Sequence, residues 1–145
     1  MTIHDFDLAR FYLGKDEINE IFATGSNISN KIFNKINDYE LATCILKSKS
    51  GVITIINNSR HCSFGYDQRV EIFGEKGMLI SDNKRKYNFF IDRYKSAYKL
   101  QLNDLLNLVK KNKKTRTSFD DGEKALVLAN AAYKSLKSKK SVKIK

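Results

Sequence analysis

Residues 40–59, ELATCILKSKSGVITIINNS, set two runs rich in β-branched residues either side of Lys-Ser-Lys-Ser-Gly. Gly51 supplies the positive φ that such a turn commonly needs, so the segment predicts a β-hairpin. A second hairpin is predicted at 68–82, QRVEIFGEKGMLISD. There Val70 and Ile72 alternate before the turn, Met78 to Ile80 follow it, and Gly74 and Gly77 bracket Glu75-Lys76. Residues 86–90 are expected to add another strand.

The flanking segments have other periods. Ile3, Phe6, Arg10 and Leu13 fall at helical spacing until Gly14 stops the run, which predicts a helix of about ten residues. INEIFATGS at 18–26 alternates as a strand, and the polar stretch after it reads as a loop. Beyond residue 90 the pattern turns helical again. Tyr94, Tyr98, Leu102, Leu105, Leu106 and Val109 mark one amphipathic helix. Asp120 with Glu123 make a capping-box-like start to another, which carries Ala125, Leu126, Leu128, Ala129, Ala132 and Leu136. A terminal SVKIK reads as a short edge strand.

A helix, then hairpin-linked strands, then two helices describe an α+β domain with an antiparallel-rich mixed sheet and helices packed on one face. Leu41, Ile45 and Leu46 share that sheet with Ile53, Ile55 and Ile56, which leaves its strands apolar on both faces. The outer face is therefore expected to pair with another copy as a homo-oligomer.

With 145 residues the chain has room for one domain, 1–145, which buries roughly two-thirds of its unfolded surface. No apolar run approaches the ~20 residues that span a bilayer, and MTIHDFDLAR lacks a basic, then apolar, leader, so a cytoplasmic, membrane-free protein is expected. Cys44 and Cys62 lack the close spacing of zinc or redox motifs and read as free thiols. The net charge of +11 raises nucleic-acid binding as a candidate. Yet only six of the 27 basic residues are arginine, the residue suited to bidentate contacts with bases and phosphates. The basic runs at 110–116 and 134–145 read as helix ends, where lysine complements the helix dipole, and no nucleic-acid partner is expected.

Three segments taken together carry a family resemblance: TIHDFDLARFYLG at 2–14, INNSRHCSFGYDQRVEIFGEKGML at 56–79 and DGEKALVLANAAYKSLKS at 121–138. They resemble the C-terminal domain of inositol 2-dehydrogenases in the Gfo/Idh/MocA group of oxidoreductases. GYDQRVEIFGEKG is the most specific of them, and the stretch 27–39 matches least. The resemblance implies an enzyme whose other half is a Rossmann domain binding NAD or NADP, with a catalytic lysine in a glutamate-lysine-proline segment. Neither feature is present here. The seven glycines form no GxGxxG and there is no proline, while Glu75-Lys76-Gly77 sits in a predicted hairpin turn. In the family a catalytic aspartate precedes the catalytic histidine by four positions, and counting back four from His4 lands just before Met1. The expectation drawn from this is a truncated, split or mis-called reading frame in which Met1 was once internal, so that the chain alone is inactive.

By the same resemblance His4 is the catalytic residue, taking the proton from a secondary alcohol, a task its pKa near ~6.5 suits. Asp7, one helical turn on, is expected to accept hydrogen bonds from polyol hydroxyls, and Asp5 to serve the helix N-terminus. Tyr66 in GYDQR is expected to meet the sugar ring, with Tyr94 a further candidate of the same kind. Asn57 and Asn58 remain open between ring-binding amides and strand-end polar groups. No cofactor-binding residue and no metal ligand is assigned in this chain. The partners implied are a polyol or sugar substrate, NAD(P) for the complete enzyme, and a Rossmann-domain chain acting in trans. The alternative is a non-catalytic polyol-binding or oligomerisation module.

Overall fold

The structure, a computed structural model, describes residues 2–115 and 117–144. Met1, Arg116 and Lys145, on which the reading of the start site and the ends of both basic runs depend, lie outside the described residues. The chain divides into two compact units, Met1–Arg60 with Thr117–Lys145, and His61–Arg116.

In the first unit α1 (Ile3–Leu13) ends where Gly14 takes φ 63° and its N–H donates to the Arg10 carbonyl at 3.0 Å. Three strands follow, β1 (Ile18–Ser26), β2 (Leu41–Ser48) and β3 (Ile53–Ser59). The loop expected between β1 and β2 contains a short helix, α2 (Ile32–Lys35). Its start is set locally, because the Asn30 side chain accepts from the Ile32 N–H at 3.0 Å. The buried Glu40 carboxylate reaches back to accept from the Ser29 and Asn30 N–H groups at 3.0 and 2.9 Å. The predicted β2–β3 turn is present, with Gly51 at φ 98°.

Among the described residues every strand pairing is antiparallel, and the sheet order is β3, β2, β1 and then β6 (Val142–Lys143), the expected edge strand. Register sorts the two faces. Ala23 pairs with Cys44 and Cys44 with Ile56, and all three are buried. One residue along, Phe22 pairs with Ile45 and Ile45 with Ile55, and these are 36%, 41% and 61% exposed. The inner row meets Phe6 and Ala9 of α1 and Leu128, Ala131 and Ala132 of the last helix, α4 (Phe119–Ser138), in one core, while the outer row stays uncovered. Helices thus cover one face only, as the α+β reading expects.

The last helix of this unit, α4 (Phe119–Ser138), places Ala125, Leu128, Ala132 and Ser135 on one side at helical spacing. Small residues there let the helix approach the sheet closely. Ser135 is fully buried, and its hydroxyl accepts from the Ala23 N–H at 2.9 Å and donates to the Lys140 carbonyl at 2.6 Å, joining helix, β1 and the segment before β6. The helix start differs from expectation. The capping box is formed by Ser118 and Asp121, not Asp120 and Glu123, because a serine hydroxyl stands at the residue where the backbone is still extended.

The second unit holds the hairpin β4 (Val70–Gly74) and β5 (Gly77–Ser81), and the helix α3 (Phe90–Lys110). The strand expected at 86–90 does not form. Tyr87 makes a single bridge to Tyr66, and the chain turns into α3 from an extended Phe89. Of the two helices expected to close the domain α4 does so, whereas α3 belongs to this unit and buries none of its residues. None of the described residues of His61–Arg116 is buried. Both basic runs do begin at helix ends, with Lys111 and Lys139 as the capping residues after α3 and α4.

Candidate functional site

In the first unit the candidates sit at the beginning of α1. The Asp5 and Phe6 N–H groups donate to the Thr2 carbonyl at 3.0 and 3.1 Å and close the first turn, which leaves His4 exposed on it. Asp5 lies in that turn as expected, and its carboxylate also accepts from the Asn58 side-chain amide of β3 at 3.0 Å. Asn58 is therefore a tie between strand and helix. Asn57, on the other face, accepts from the Thr43 hydroxyl at 2.9 Å.

Asp7 is half-buried one turn beyond His4 and accepts from Arg10 at 2.9 Å. The same guanidinium donates to the Asp121 carbonyl and carboxylate, both at 3.0 Å. Arg10 thus pins Asp7 on α1 to the N-terminus of α4, and one Asp7 oxygen is already engaged. The Ser118 N–H, helped by Arg10 and the Ser118 hydroxyl, lowers the pKa of Asp121 to about 2. A carboxyl depressed below its ordinary value adds stability above that value, and the contribution is lost as pH falls through about 2. Arg10 is the residue the sequence reading left without a role. Its spacing from Asp7 was visible, but its partner Asp121 lies 111 residues away.

In the second unit the structure brings Tyr66 and Tyr94 together. Their hydroxyls are 3.3 Å apart, long for such a bond, and the rings meet edge to face at 5.8 Å. Phe90 and Tyr98 extend the aromatic cluster at 6.4 Å from Tyr66 and Tyr94 respectively. Gly65 makes this possible, because it stands at φ 104° and a Cβ there would lie 2.1 Å from the Tyr87 carbonyl oxygen. That carbonyl accepts from the Tyr66 N–H at 2.7 Å. Asn83 and Arg93, which the sequence did not single out, complete the surroundings. Asn83 donates to the Tyr66 carbonyl at 2.8 Å, and Arg93 lies over the Tyr87 and Tyr94 rings at 5.6 and 5.4 Å.

Cys44 and Cys62 are free, and burial together with the Asp5 charge pushes the Cys44 thiol up to about 11, which makes it unreactive. No cluster of metal-ligating side chains occurs among the described residues. A dinucleotide needs a glycine-rich turn between a strand of a parallel sheet and a helix. The strand pairings here are antiparallel, and the N-terminus of α4 is closed by its own Ser118–Asp121 box. The described residues do not fit such a cofactor. No helix among the described residues is long and apolar enough to cross a membrane.

The chain is 39% identical over 160 aligned positions to myo-inositol 2-dehydrogenase of Thermotoga maritima, which covers 99% of this chain and 48% of that protein. Inositol 2-dehydrogenase of Rhizobium meliloti is 35% identical, with 99% and 48% covered. The crystal structure of a myo-inositol dehydrogenase from Corynebacterium glutamicum superposes with a TM-score of 0.95 at 38% identity, over all of this chain and 48% of that one. The chain thus spans about half the length of the relatives it matches. The family model described as the GFO/IDH/MocA C-terminal domain matches residues 1–80, more than half of the sequence, and with the agreement in fold this shows that the chain belongs to that family.

Proposed function

We propose that this chain is the substrate-handling half of an inositol 2-dehydrogenase-like oxidoreductase, acting on a cyclic polyol or sugar. His4 accepts the proton of the reacting hydroxyl. Asp7, held by Arg10 through one oxygen, keeps the other available to accept from a polyol hydroxyl. Tyr66 and Tyr94 supply phenol contacts to the ring. One observation carries the reading: two phenols 28 residues apart, Tyr66 matched to a sugar-ring contact and Tyr94 a further candidate of the same kind, have neighbouring hydroxyls. The family membership and the relatives' names support the substrate class.

Because the described residues do not fit a dinucleotide, the NAD(P) site of the complete enzyme belongs, in this reading, to a Rossmann domain supplied from outside this sequence. The chain alone is then without turnover. A cytoplasmic setting goes with this reading. The test is a hybrid in which this chain replaces the matching half of the Thermotoga maritima relative. The hybrid is expected to oxidise myo-inositol with NAD while the isolated chain does not. Turnover by the isolated chain would contradict the reading.

The outer row of Phe22, Ile45 and Ile55 favours a second role as an oligomerisation surface, in which two copies pair their uncovered sheet faces. A non-catalytic module would keep this role alone. Light scattering at micromolar concentration is expected to give an oligomer that Ile45→Glu dissociates, and a monomeric parent chain would end the proposal.

A further inference from the structure

We propose that Arg10 and Asp121 are positioning residues for Asp7, and that the N-terminus of α4 thereby sets how tightly the polyol is held. The proposal rests on the reading that Asp7 meets the substrate.

Asp7 is half-buried on α1, and its partner on that helix is Arg10, three residues on. An ion pair at this spacing on a helix surface shifts a rotamer equilibrium by only about twofold. Arg10 does more, because α4 fixes it. Its Nη1 donates to the Asp7 carboxylate at 2.9 Å and to the Asp121 carbonyl at 3.0 Å, while Nη2 donates to the Asp121 carboxylate at 3.0 Å. One planar group thus serves three acceptors on two helices, and its side chain is only 19% exposed. A fork gripped at two points of Asp121 cannot swing to follow Asp7, so Asp7 settles where the fork directs it.

Asp121 is oriented in its turn by the start of α4. Its Oδ2 accepts from the Ser118 N–H at 2.8 Å and from the Ser118 hydroxyl at 3.0 Å, which leaves Oδ1 to Arg10. Turning the carboxylate would give up one set of bonds or the other. The hold therefore runs from the α4 backbone through Asp121 and Arg10 to Asp7.

The consequence is chemical. Asp7 Oδ1 accepts from Arg10, and among the described residues its other oxygen has no partner. A carboxylate only accepts, so that oxygen suits a hydroxyl that donates. Held in one rotamer, it meets the polyol already in place. Released, it must be ordered as the polyol binds, and affinity falls by that entropy.

The test is calorimetric titration of the full chain with myo-inositol. Arg10→Lys keeps the charge and loses the fork, and Asp121→Ala removes the carboxylate that grips it. Each is expected to weaken binding about tenfold, the loss expected for one hydrogen bond to a charged group. Asp7→Ala should weaken it at least as much, and in that background neither Arg10→Lys nor Asp121→Ala should weaken it further. Ser118→Ala is the control for the cap. It should lower stability in urea but keep the affinity, because the Ser118 N–H still orients Asp121. With aspartate labelled at the carboxyl carbon, the Asp7 NMR signal, assigned with Asp7→Ala, is expected to move in Arg10→Lys and Asp121→Ala. The Asp38 signal, beside Tyr133 and Lys137 at the other end of α4, should stay in place. If Asp121→Ala fails to fold, Arg10→Lys carries the same comparisons. Full affinity in Arg10→Lys and Asp121→Ala, losses that add to that of Asp7→Ala, or an unmoved Asp7 signal overturns the proposal while Asp7→Ala still reports on the substrate reading. A loss in Ser118→Ala equal to that in Asp121→Ala overturns it too, since the effect would then be one of α4 stability. No binding by the parent chain, or binding by Asp7→Ala as tight as the parent's, overturns the substrate reading of Asp7 and the proposal with it.

Discussion

Phe6→Ala is expected to destabilise the first unit by about 3–5 kcal/mol, the usual range for emptying a fully packed aromatic site. Phe6 is 2% exposed and belongs to the core shared by α1, α4 and the inner face of the sheet. Domains of this size are stable by only about 5–15 kcal/mol, so the substitution removes a large share of the whole. Urea denaturation followed by circular dichroism measures it. Leu105→Ala in α3 is the comparison within the same chain. Leu105 is as apolar as a core residue but 48% exposed, and its loss should lie within about 0.5 kcal/mol of zero. Equal effects of the two substitutions would mean that the core has been assigned to the wrong helix.

The second large effect is chemical. In the hybrid with the Thermotoga maritima relative, His4→Ala is expected to lower kcat about 10²- to 10⁴-fold, the contribution typical of a positioned acid or base. Binding of myo-inositol should change far less, because His4 is given a role in proton transfer rather than in holding the ring. His4 stands exposed on the first turn of α1. Its removal therefore leaves the core intact, and the two substitutions separate folding from chemistry. An unchanged kcat in the hybrid would remove His4 from the mechanism. A matched loss of thermal stability would make it a structural residue.

Local rules accounted for most of the elements. Gly14 and Gly51 end α1 and form the first hairpin turn at φ 63° and 98°, a conformation that a residue without a side chain adopts at no steric cost. Alternation marked β1 as a strand but not which face turns inward: Ala23 and Cys44 are buried and Phe22 and Ile45 exposed, and the irregularity between Ile18 and Glu20 leaves Ile18 buried although alternation groups it with Phe22. Failures came where two local patterns competed. Residues 86–90 end in two phenylalanines and look like a strand, yet Phe89 is the extended residue that opens α3. At α4 the Asp120 and Glu123 spacing imitates a capping box two residues past the one that forms.

Other features depend on contacts that no local pattern encodes. The split into two units is one, because the α3 sequence has the amphipathic period of a packed helix but buries nothing. In the candidate site, the Asp7–Arg10 pair was visible at a spacing of three, while Asp121, which fixes it, was not. Tyr66 and Tyr94 were marked by their surroundings in the sequence. The residues that hold them, Asn83 and Arg93, act through a backbone carbonyl and a ring face, and such contacts leave no motif.

The central claim is that this chain recognises the polyol and leaves the dinucleotide to residues outside its sequence. Calorimetric titration of the isolated chain with myo-inositol and, separately, with NAD tests it directly. Heat of binding with myo-inositol, reduced in Tyr66→Phe, and none with NAD is the result predicted. Tight binding of NAD, with no response to myo-inositol, would contradict it.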